Sequence, residues 1–81
     1  MRQRWRKVDG ALFAAAIGGR DGASYHLIVE RLPNGSGWDW TLWRPGDAPQ
    51  DARHGVAPDA AAALRAAEAA ARDWDISSAP R

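Results

Sequence analysis

The stretch Arg4-Trp5-Arg6-Lys7-Val8-Asp9-Gly10-Ala11-Leu12-Phe13-Ala14-Ala15-Ala16-Ile17 decides how the chain is read. Asp-Gly supplies positive φ at the centre of a type I′ turn, and here it separates two strand-like runs, residues 4–8 and 11–17. The stretch reads as a β-hairpin. Gly18-Gly19-Arg20-Asp21-Gly22 is a second turn, and residues 24–32, with the core Tyr25-His26-Leu27-Ile28-Val29, are strand-like by β-branched and aromatic content. Pro33-Asn34-Gly35-Ser36-Gly37 turns the chain again, into the strand Trp38-Asp39-Trp40-Thr41-Leu42-Trp43. Residues 44–57 are rich in Pro, Gly and Asp and read as a long crossing loop, with room for a short edge strand near residues 54–56.

Beyond that loop the pattern becomes helical. Pro58 suits a first helical position, Asp59 suits the positive end of the helix dipole, and the alanine-rich run that follows has high helix propensity to about Trp74. On a helical wheel Ala60, Leu64, Ala67, Ala71 and Trp74 share one stripe, opposite Arg65, Glu68, Arg72 and Asp75. The expected fold is α+β: a three- to four-stranded antiparallel meander sheet packed by one C-terminal α-helix. Residues 1–75 form the single domain and residues 76–81 a loose tail.

Turn spacing fixes register, and register fixes which side chains share a face. Pairing Val8 with Ala11, Ile17 with Ser24 and Leu32 with Trp38 collects Val8, Phe13, Ile17, Ile28, Leu32, Trp38, Trp40 and Leu42 on one face. Trp5, Leu12, Ala14, Ala16, Tyr25, Leu27, Val29 and Trp43 fall on the other, with Lys7 and Arg31 among them. An antiparallel sheet with one solvated side alternates apolar and polar residues, so two apolar sides call for two covers. The single helix is assigned to the Phe13/Trp38/Trp40 face, where small residues let its axis approach large rings. Trp5, Tyr25 and Trp43, each of about 150–250 Å², then form a patch larger than monomers usually expose.

Composition narrows the function classes. With 81 residues there is one core and no room for an elaborate cleft, and hydrophobic burial in so small a domain only narrowly exceeds the ordering cost. There is no cysteine, so neither a disulfide nor a thiolate metal site adds stability. No secretory segment or long apolar run is apparent, which points to a soluble cytoplasmic protein without membrane contact. A net charge of +1 argues against a general duplex-DNA coater. Four of the eleven basic residues, Arg2, Arg4, Arg6 and Lys7, nevertheless form a basic arm ahead of a mildly acidic body.

The candidates for chemistry are few. His26 and His54 lack ligand spacing, so no metal and no cofactor is expected. The serines lie in turns or tail without a nucleophile elbow, and Glu30 and Asp39 on a sheet read as solvated carboxylates, so no enzyme is expected. The glycine-dense turn at 18–22 leads into a strand and lacks the Gly-Lys-Ser/Thr ending of a phosphate loop. Asp73 and Asp75 oppose the helix dipole, which leaves a role toward a partner or none.

The sharpest signal is aromatic and basic: Trp5, Lys7, Tyr25, Leu27, Arg31, Trp43 and Arg44 as one binding face. Its first reading is contact with another protein, including a second copy as a homodimer, in a small regulator or inhibitor of the kind phages and mobile elements encode. The alternative is a platform for single-stranded nucleic acid, with bases on the rings and phosphates on the cations. The strand-strand-strand-helix order over residues 24–74, with Gly55-Val56-Ala57-Pro58-Asp59 leading into Ala-x-x-Ala spacing, resembles in outline the sheet-plus-helix module of HicB-type antitoxins, without a motif specific to them.

Overall fold

The computed structural model describes residues 5–19 and 22–77. Five strands, β1 (Arg6–Asp9), β2 (Leu12–Gly18), β3 (Ser24–Arg31), β4 (Trp38–Trp43) and β5 (Arg53–Ala57), precede one helix, α1 (Ala60–Ser77). Each strand pairs antiparallel with the next in the order β1-β2-β3-β4-β5, and α1 packs against β3, β4 and β5. The architecture is therefore α+β, with five strands in place of three or four. The fifth comes from the segment read mainly as loop, where a 3-10 turn at Pro49–Asp51 leads straight into β5.

The turns account for the differences in register. At the first hairpin Gly10 and Ala11 occupy the turn, and Gly10 is not among the positive-φ glycines. Asp9 Oδ1 accepts the Ala11 N–H at 2.7 Å, so the turn is closed by a side chain and no left-handed pair is needed. Lys7 then lies opposite Phe13 and Asp9 opposite Leu12, with an irregularity at Val8 between them. Gly22, at φ 76°, ends the second turn so that Ile17 pairs with Tyr25, not Ser24. The third turn closes between Leu32 and Gly37, whose backbones bond at 2.9 Å, so Trp38 faces Arg31, not Leu32.

Each shift is one residue, and one residue turns a strand over. Tyr25, Leu27 and Val29 therefore lie beneath the helix at 1%, 1% and 0% exposure, and Ile28 points to the opposite side, reversing the expected assignment. Phe13, Trp38 and Trp40 do lie on the helix side, where they pack against Val29, Ala57 and Ala63. A second cluster joins Ile17, Tyr25, Leu27 and Leu42 to Ala67, Ala71 and Trp74.

The helix begins two positions later than Pro58 implied. Asp59 is its N-cap: Oδ1 accepts the Ala62 N–H at 2.8 Å and the carbonyl accepts the Ala63 N–H at 3.0 Å. Its buried stripe is Ala63, Ala67, Ala71, Trp74 and Asp75, with Ala63 taking the place expected of Ala60 and Leu64. Alanine at three successive turns keeps this stripe small, and the Trp40 ring lies against Gly55 of β5. A Cβ at Gly55 would stand 2.8 Å from the Trp40 ring. Ile76 and Ser77, assigned to the tail, extend the last turn, and residues 78–81 lie outside the described residues.

Candidate docking face

Of the seven residues expected to form one surface, the structure brings Trp43 and Trp5 together at the open groove of the sheet. Tyr25 and Leu27 are core residues. The Tyr25 hydroxyl donates to Asp75 Oδ1 at 3.1 Å, and burial, followed by this hydrogen bond and the Asp75 charge, raises the phenol pKa above its ordinary value. Asp75 is thus a buried acceptor and not a partner-facing carboxylate.

Arg44 lies over the Trp74 ring at 4.5 Å and its Nε donates to Asp47 Oδ2 at 2.9 Å, which places it on the helix side; Arg53 lies over the same ring at 4.1 Å. Trp5 is half-buried and packs on both core clusters, with its Nε1 buried and unpaired. Lys7 and Arg31 are exposed, and register puts them on the side of Phe13 and Trp38. Arg2 and Arg4 of the basic arm lie outside the described residues.

The open side is instead built from the alternate residues of every strand. Directly opposed residues form rows across it. The first row is Asp9, Leu12, Glu30, Asp39 and Val56. Behind it run Arg6, Ala14, Ile28, Thr41 and His54, and then Ala16, His26 and Trp43. The His26 and Trp43 rings stack at 5.6 Å with 19° between planes. Beside this ridge Ala14 and Ala16 form a low floor, leaving an open groove of about 620 Å³ bordered by Trp5, Arg6, Ile28, His26 and Trp43. The first row opposes two carboxylates, Glu30 and Asp39, with no counter-ion among the described residues. Like charges directly opposed on a sheet are destabilising.

His26, Ile28, Glu30, Asp39 and Thr41 were missed as members of this face. The signal was present in β3 itself: Tyr25, Leu27 and Val29 are uniformly large and apolar, whereas His26, Ile28 and Glu30 are mixed, the alternation of a strand with one solvated side.

Among the described residues no group of three or more His, Asp or Glu could hold a metal ion. No helix among them is long and apolar enough to cross a membrane. Comparison of the chain with known protein families, curated proteins and solved structures finds no match.

Proposed function

We propose that this chain is a small non-enzymatic binding module that docks another protein chain on the open face of its sheet. The observation that carries the reading is the uneven cover of the sheet. One helix shields one side, while the other presents Ile28, the His26–Trp43 stack and an alanine-floored groove to solvent. Aromatic side chains beside small apolar ones offer contact area at low entropic cost, which suits a protein interface. Apart from the opposed Glu30 and Asp39, the ionisable groups on this face stand in separate rows, and no histidine or nucleophile shares the row of those two carboxylates, which suits recognition better than proton transfer.

A single-stranded nucleic acid is the second reading, favoured by the His26–Trp43 stack with Arg6 nearby. The opposed Glu30 and Asp39 weigh against it, because a phosphate chain crossing the face would meet two unneutralised carboxylates. A photo-cross-linking residue at Thr41, in cells that make the protein, separates the two readings, with the same residue at exposed Ala61 as control. Protein adducts from position 41 alone support the first. Nucleic-acid adducts, or equal labelling from both positions, contradict it.

A further inference from the structure

We propose that the occupant of the open face is a second copy of this chain, bound face to face about a two-fold axis along the Ala14–Ile28–Thr41 row. This rests on the reading of the open face as a protein-docking surface and specifies both the partner and the register.

The edges of the sheet are poor sites for pairing. β1 has four residues, an irregularity at Val8 and the charges of Arg6 and Lys7; β5 has five residues and ends against the helix. The face is broad enough by comparison. Five strands about 4.8 Å apart and rows about 7 Å apart give an area of roughly 500–600 Å² per copy. A pair would bury about 1,000–1,200 Å² in total, at the low end for a specific association.

Charge and size select the axis. A two-fold axis between the sheets and across the strands lays each strand over its own copy with its direction reversed. Ile28 then meets Ile28 of the second copy, and the first row of one sheet covers the third row of the other. Glu30 faces His26 of the second copy, whose ring N–H can donate to it, and Asp39 faces Trp43 of the second copy, whose indole N–H can do the same. Leu12 meets the small Ala16. Glu30 and Asp39 each gain a donor, and these two contacts outweigh the approach of Arg6, in the axis row, to its own copy. The other in-plane axis, along the strands through β3, places Glu30 on Glu30 beside both Asp39 carboxylates, and repulsion disfavours it.

Sedimentation of the intact chain tests the pairing. Monomer and dimer should exchange with a midpoint of about 10–100 μM, as an interface of this size implies. Ile28→Asp should leave only monomer with an unchanged circular dichroism spectrum. His26→Glu and Glu30→Lys should each weaken dimerisation about tenfold, the equivalent of one lost contact of this kind. The double variant His26→Glu/Glu30→Lys restores opposite charges across the interface and should recover most of that loss. Within one chain these two positions are separated by Ile28, so recovery reports contact between copies.

Monomer at every concentration, or a double variant no tighter than the single ones, overturns the proposal. In that event, adducts to a foreign protein from position 41 would leave the protein-docking reading standing, and their absence would remove both.

Discussion

Tyr25 shows how one side chain can pass from apparent binding residue to structural anchor. Its ring is 1% exposed, lies 5.8 Å from the Trp74 ring, and its hydroxyl reaches a carboxylate fifty residues away in sequence. The close fit extends to Gly19, where a Cβ would stand 2.7 Å from the Tyr25 ring and 2.5 Å from Asp75 Oδ1. Tyr25→Phe removes the donor, and we expect a loss of about 1–2 kcal/mol in urea unfolding at neutral pH. The folded-state pKa is raised, so the native protein keeps the phenolic proton at pH values where the unfolded chain releases it. This contribution is complete below the model-compound value of 10.0 and is lost as pH rises beyond it. The stability gap between the native protein and Tyr25→Phe should therefore narrow above that pH. Parallel pH profiles would contradict the assignment.

The same residue marks the limit of what the sequence revealed. Aromatic content identified Tyr25 as part of a strand, but its face depends on where two turns close, and glycine-rich turns admit closures one residue apart. The alternation within β3 is local and independent of turn geometry, and it orients that strand correctly. Trp43 was legible as an aromatic of the open face because β4 was bounded correctly at both ends.

At the scale of elements, the helix and the central strands were legible because their signals are local: alanine propensity for α1 and β-branched or aromatic runs for β3 and β4. β5 was harder to see. Arg53-His54-Gly55-Val56-Ala57 has little strand propensity, and the segment is a strand because β4 offers an open edge and Gly55 leaves room for the Trp40 ring.

The helix start depends on one capping group, so Asp59→Ala should cost about 1 kcal/mol, read as a lowered urea midpoint with an unchanged slope. An unaltered midpoint would show that the cap does not hold the first turn. Ala67 is fully buried in the core cluster that contains Tyr25, Leu27 and Leu42. Ala67→Trp should overpack that contact and cost at least about 1–3 kcal/mol. Unchanged stability would mean that α1 does not rest on the sheet by this stripe.

At the scale of the whole molecule the sheet is asymmetric: one helix covers one face, while Ile28, the His26–Trp43 stack and the carboxylates Glu30 and Asp39 lie on a face that no other element among the described residues covers. The expectation of an uncovered sheet face follows from counting elements and does not depend on register, whereas the identity of its residues does. The most direct test is a concentration series of two-dimensional amide and indole NMR spectra of the intact chain, from about 10 μM to 1 mM, spanning the affinity a small interface provides. We expect progressive shifts at the amides of His26, Ile28 and Thr41 and at the Trp43 indole, with the Trp74 indole and the solvent side of α1 unmoved. Shifts centred on α1 or on the β1 and β5 edges, or spectra that do not change with concentration, would contradict the account.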